Sequence, residues 1–178
     1  ALLAAGLAGT GPAQALAPTP RFAPYVNYDV GKGKSVAIGD FTGDGRNDVV
    51  ISTQDSDTAA EPNHVRLFVQ GADGWMSRVD ELETQMSVAP ELGLAAGDLD
   101  GDGKTDAVVA NGHALDVFFQ RAGGLAGGQP IPLDGAQTVK ASDVDGDGWV
   151  DLVASAASGL VVLRGLGAGI FGAATVVS

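Results

Sequence analysis

Along most of the chain, apolar runs of about four to six residues alternate with polar, glycine-rich stretches, the pattern of short strands joined by turns. The runs recur three times in one order. A short apolar run enters a polar loop (35–39, 94–97, 139–142) and a β-branched run leaves it (48–53, 106–111, 150–155). A third run follows (65–70, 115–120, 160–164), then a glycine-rich turn and a weaker fourth strand. No segment sustains the 3.6-residue periodicity of an amphipathic helix. The pattern predicts an all-β protein.

The repeated loops begin at residues 40, 98 and 143. That period is close to the ~40–50 residues of a four-stranded propeller blade. The prediction is therefore about three blades of four antiparallel strands, at about 34–85, 92–137 and 138–178, within a repeat region of 21–178. The first unit is longer because of a polar stretch at 54–63, read as a surface insertion. Propellers close with about 4–8 blades, so three units predict a partial propeller. It would be completed by further blades of a longer chain, left as an open arc, or closed by self-association. Trp75, Phe118, Phe119 and Phe171 are expected between blades.

Charge adds the chemistry. Twenty-two acidic side chains face 10 basic ones, a net charge of −12. That balance excludes nucleic acid and anionic membrane as natural partners, which need a basic surface. No cysteine is present, so disulfides, thiolate metal sites and cysteine nucleophiles are excluded. Half of the acidic residues fall in three nonapeptides: Asp40-Phe-Thr-Gly-Asp-Gly-Arg-Asn-Asp48, Asp98-Leu-Asp-Gly-Asp-Gly-Lys-Thr-Asp106 and Asp143-Val-Asp-Gly-Asp-Gly-Trp-Val-Asp151. Carboxylates two residues apart repel unless neutralised, and a hard divalent cation is their natural counter-charge.

Loop positions 1, 3, 5 and 9 carry side-chain oxygen, and position 7 can offer its carbonyl. The second loop thus predicts Asp98, Asp100, Asp102 and Asp106 as ligands, with the carbonyl of Lys104. The third predicts Asp143, Asp145, Asp147 and Asp151 with the carbonyl of Trp149. The first predicts Asp40, Thr42, Asp44 and Asp48 with the carbonyl of Arg46, and its neutral Thr42 makes it the weakest. Gly45, Gly103 and Gly148 at position 6 permit the sharp turn. Three such loops in register favour metal binding over plain Asp-Gly turns. Calcium (Ca2+) fits better than magnesium, which prefers fewer protein ligands. An EF-hand is excluded, because position 12 holds Ile51, Val109 and Ala154 in place of a bidentate glutamate, and strands flank the loops.

No catalytic constellation is visible. His64 and His113 lie at strand entrances in different units, and calcium-bound carboxylates cannot act as general acids. Trp149 either stacks on a sugar or protein partner or packs over a neighbouring blade.

The three loops, each after a short Val-Ala-Ile-Gly-like strand, resemble the FG-GAP and VCBS repeat family, the calcium-binding propeller blades also found in the head of integrin α-subunits. Weaker echoes are Gly167 to Gly172 and the phrase from Arg21 to Gly31, which in such proteins would be an outer strand leading into the next blade. Trp75-Met76 and Leu125-Ala126 depart from the Phe-Gly element in the first two units. The resemblance implies calcium at the loop carboxylates, in the hairpin between a blade's first two strands.

Residues 1–20 stand outside the fold on this reading. They are either the back half of a secretory signal, with small-x-small sites at 13–15 and 15–17, or a flexible leader. Export suits weak calcium loops, which fill at the millimolar calcium found outside cells. The expectation is a secreted or cell-surface, non-catalytic module that binds an extracellular protein or glycan, without membrane insertion. The alternatives are a scaffold or accessory domain of an extracellular polysaccharide-degrading enzyme, or a lectin.

Overall fold

The computed structural model describes residues 26–54, 63–84, 93–128 and 130–177, and every regular element among them is a strand. β1 (Gly33–Gly39), β2 (Asp48–Thr53), β3 (His64–Gln70) and β4 (Met76–Glu83) form one antiparallel sheet in that order. β5 (Leu94–Gly97), β6 (Asp106–Ala110), β7 (Ala114–Arg121), β8 (Gly124–Gly127) and β9 (Ile131–Pro132) form the second. β10 (Thr138–Ser142), β11 (Asp151–Ala156), β12 (Gly159–Leu163) and β13 (Thr175–Val176) form the third. None closes into a barrel. They are three propeller-type blades.

Several details depart from the sequence reading. The fourth strand of the second sheet is split in two. β8 pairs with Phe118–Arg121 and β9 with Ala114 and Leu115, so together they line one edge of β7. Between them Gly128 lies close against β7, its N–H donating to the carbonyl of Val117, and a Cβ there would come within 2.7 Å of the Phe119 ring. β4, expected to be weak, is one of the longest strands, with Ser77, Arg78 and Val79 exposed on an outer strand. Asn111, expected in a strand, is a buried turn residue. Its side-chain oxygen accepts the N–H groups of His113 and Ala114, and its amide donates to Asp116. Residues 26–31 form no strand. They lie along the first sheet, where Tyr28 meets Phe68 edge-on and the Val30 carbonyl accepts from the buried Arg66. The ends of the predicted insertion, Gln54 and Asn63, are buried. Residues 55–62, 1–20 and 21–25 lie outside the described residues.

Side-chain alternation along β6 explains how the sheets stack. Successive residues of a strand face opposite ways. Ala107 and Val109 enter a core shared with the first sheet, while Val108 and Ala110 enter one shared with the third. All four are fully buried, so after Asp106 β6 is apolar on both faces and not alternating. The adjacent Phe118 and Phe119 divide in the same way, and Phe171 packs half-buried on the second core. Trp75 is the exception, 55% exposed in the turn between β3 and β4. Its N–H donates to Asp73 and its carbonyl accepts from Gly71, which fixes the backbone and leaves the ring outside.

Trp149 packs over the neighbouring blade. It is 43% exposed, yet a Cβ placed on Gly101 of the second loop would come within 2.4 Å of its ring. Gly101 also has φ +79°, a conformation costly for other residues. The equivalent Gly146 has φ +80° and nothing within 4 Å. Gly146→Ala is expected to lose ~1 kcal/mol of stability from backbone strain alone. Gly101→Ala should lose roughly 1–2 kcal/mol more, because the tryptophan must shift. Equal losses in chemical denaturation would mean that the contact adds nothing.

Candidate metal centre

Each acidic loop joins the first two strands of a sheet, and its conformation follows from its glycines. Positions 4 and 6 are left-handed in all three loops, with φ of 78°, 79° and 80° at Gly43, Gly101 and Gly146 and 83°, 83° and 93° at Gly45, Gly103 and Gly148. The resulting curl aims backbone N–H groups at the position 1 carboxylate. Asp40 accepts from Gly43, Asp44 and Gly45, Asp98 from Gly101 and Gly103, and Asp143 from Gly146 and Gly148. Burial raises the pKa of Asp40, but these donors outweigh it and hold the carboxyl below its ordinary range.

Position 9 plays a part that the motif alone did not reveal. Asp48, Asp106 and Asp151 are completely buried at the start of the second strand. In each, one oxygen accepts the N–H of position 2 (Phe41, Leu99 or Val144) at 3.1, 2.8 and 2.9 Å. The other accepts the N–H of Gln70, Gln120 or Gly165, at or just beyond the end of the third strand, at 3.1, 2.7 and 2.8 Å. This aspartate therefore ties the loop to the neighbouring hairpin. The 14-residue distance from loop to third strand shared by the second and third units was the available signal, lengthened to 22 in the first, and pairing register was needed to read it.

The three loops then diverge. In the second, Asp98, Asp100 and Asp106 each offer an oxygen, all within 4.8 Å of one another, and in the third Asp143, Asp145 and Asp151 do the same. Two oxygens bound to one calcium at ~2.4 Å lie at most ~4.8 Å apart, so both groups suit a single hard cation. Asp102 and Asp147 at position 5 do not join these groups. Asp102 pairs with Lys104 at 2.6 Å, which leads the causes that lower its pKa, and Asp147 accepts the Trp149 N–H. In the first loop Thr42 donates its hydroxyl to Asp48, Asp44 pairs with Arg46, and Asp40, Asp44 and Asp48 form no such group. The position 7 residues Arg46, Lys104 and Trp149 all send their N–H to the position 5 carboxylate.

Two arginines absent from the motif also reach the loops. Arg121 at the end of β7 contacts Asp100 at 3.1 Å. Arg164, just after β12, lies 3.1 Å from both Asp145 and Asp151. Two of the buried position 9 groups, Asp106 and Asp151, respond differently. Burial pushes Asp106 up, reinforced by the charges of Asp100 and Asp102 and only partly offset by the N–H groups of Gln120 and Leu99. Burial also raises Asp151, but the N–H groups of Val144 and Gly165 and the Arg164 guanidinium prevail and lower it. Of the three converging carboxylates, Arg164 thus meets two in the third loop and Arg121 one in the second, where Lys104 also pairs with the adjacent Asp102. The histidines lie apart, His64 3.5 Å from Glu81 in the first sheet and His113 4.0 Å from Asp134 in the second.

Stacked four- and five-stranded antiparallel sheets, each with an acidic hairpin at the same corner, define a β-propeller-like repeat. Residues 40–109 match the family model of the FG-GAP-like repeat, from the first residue of the first acidic loop through the second loop into β6. Over that span the chain is similar to an FG-GAP-like repeat. A comparison with curated proteins finds no match to the chain.

Proposed function

We propose that the chain is a calcium-binding propeller module that acts outside the cell, recognising a protein or carbohydrate and catalysing nothing. The observation that carries the calcium reading is the convergence of three carboxylates in each of the second and third loops. Asp98, Asp100 and Asp106 would hold one ion and Asp143, Asp145 and Asp151 another. Asp102 and Asp147, with the carbonyls of Lys104 and Trp149, would complete the shells. Calcium would cancel the loop charge and fix the hairpin against the third strand. The first loop (Asp40, Thr42, Asp44, Asp48 and the Arg46 carbonyl) is the weakest site. Extracellular action follows from the low affinity expected of such loops. A polar cleft of about 330 Å³ between the first two loops, lined by Asp40, Lys104 and Gln120 among others, offers a place for a polar ligand.

Arg164 spans two of the three carboxylates of the third loop, whereas Arg121 meets only Asp100 of the group in the second. The second loop should therefore bind calcium more tightly. Arg164→Gln is expected to strengthen the third site about tenfold, or ~1.4 kcal/mol, the order of effect of removing one partly screened positive charge. Calorimetric titration reads this directly, and an unchanged third site would refute the competition. Arrays of glycans and of extracellular proteins, probed with and without chelator, test the recognition role. Calcium-dependent capture by one is expected, and capture by neither contradicts it.

A further inference from the structure

The two junctions between successive sheets can be compared residue by residue. Gln120 and Gly165 both donate their N–H to the position 9 aspartate of their own loop, so they are equivalent, as are Lys104 and Trp149 at position 7. Between the second and third sheets the indole of Trp149 fills the space beside the preceding loop. A Cβ on Gly101 would come within 2.4 Å of that ring, and one on Gly167 within 3.1 Å. Between the first and second sheets position 7 is Lys104, half exposed, with its ammonium paired to Asp102 at 2.6 Å. In place of the ring this junction has a cleft of about 330 Å³, lined by Asp40, Gly43, Gly103, Lys104, Thr105 and Gln120.

Gln120 is the feature that points to a ligand. It is only 2% exposed. Its backbone N–H donates to Asp106 at 2.7 Å, and its side-chain oxygen accepts the N–H of Thr105 at 3.2 Å. The Thr105 donor sets the orientation of the amide and turns Nε2 to the cleft, 3.0 Å from where a Cβ on Gly43 would stand. There Nε2 meets no acceptor among the described residues. A buried amide ordinarily finds partners for its N–H groups. One that is fixed in place and faces a cleft is a preorganised donor. Asp40 lines the same cleft and supplies a carboxylate acceptor.

We infer that this cleft binds a neutral hydroxylated ring, the chemistry of a pyranose, with one oxygen accepting from Gln120 Nε2 and one hydroxyl donating to Asp40. The inference rests on the recognition role proposed above and deepens it, and it makes no use of the ion. Charge selects a neutral ligand. An anion would meet Asp40, and the ammonium of Lys104 is already taken by Asp102. A cation would meet that ammonium and the amide hydrogens of Gln120. The lining selects hydroxyls over an aromatic side chain of a protein partner, whose gain comes chiefly from apolar contact. Glycine apart, every lining residue is polar or charged. Pockets for small ligands begin at ~300 Å³, so the cleft suits one sugar residue and not an extended chain.

Saturation-transfer NMR titrations of the full chain with the methyl glycosides of glucose, galactose, mannose and xylose test it. At least one should bind. Gln120→Glu, which keeps the acceptor for Thr105 and removes the donor, should weaken that binding about tenfold. Lys104→Trp puts an indole where Trp149 stands in the third loop, and should abolish binding in a chain that melts like the parent. Because Lys104 is exposed, this second variant keeps the test sound where Gln120→Glu fails to fold. A glycoside held as tightly by folded Lys104→Trp as by the parent would overturn the cleft and leave the recognition role standing. A folded, calcium-binding chain that takes none of the glycosides would overturn the inference and leave recognition of a protein untouched. A protein ligand displaced by Lys104→Trp would overturn it too, since the cleft would then be a protein pocket.

Discussion

Asp106→Ala is expected to be among the most damaging single substitutions in the chain, costing roughly 3–5 kcal/mol of folding stability. The carboxylate is fully buried and accepts the N–H groups of Leu99 and Gln120. Removing it strands two backbone donors, each costing ~1–3 kcal/mol when left without a partner. Asp106→Asn should cost less, because the amide oxygen can still accept one of the two bonds. Asp102→Ala should leave stability nearly unchanged in chelator, as expected for an exposed side chain whose partner is Lys104. In calcium its cost should grow, and it should exceed that of Thr42→Ala. Urea unfolding of the variants with and without calcium separates the two roles. Equal losses for Asp106→Ala and Asp102→Ala in chelator would mean that the tie between loop and third strand is not what holds the hairpin.

The second large effect is removal of calcium. A site filled at ten times its dissociation constant adds ~1.4 kcal/mol to stability, so two add ~3 kcal/mol. For a domain of this size that is a fall in Tm of about 6–10 °C with chelator. Calcium should restore the melt more readily than magnesium, since the acidic groups offer several protein oxygens to one ion. The cause is electrostatic. Without a cation, Asp98, Asp100 and Asp106 hold three carboxylates within one ion's reach, and Asp106 is already pushed toward its neutral form by burial and by its neighbours.

Much of this was legible in the chain because the information is local. Alternating aspartates with glycines at fixed offsets state both the loop's curl and its charge. The change from Asp48 or Asp106 into a β-branched run marks where the second strand begins. What was not legible depends on register between distant segments. Asp106 looks like another ligand until Gln120 is seen to land on its second oxygen. Arg121 and Arg164 look like polar strand ends until pairing brings them against the loops of their own sheets. Trp75 carries the composition of a core residue, but the Asp73 turn holds it outside. The split into β8 and β9 arises from the close approach of Gly128 to β7, which no periodicity records.

The central claim is that the aspartate loops are built to hold calcium. It is met most directly by calorimetric titration of calcium into the chelator-stripped, folded chain. The account predicts saturable heat for two sites, with the second loop filled before the third and its heat abolished by Asp100→Asn. A folded chain that takes up no calcium at millimolar concentration would contradict it.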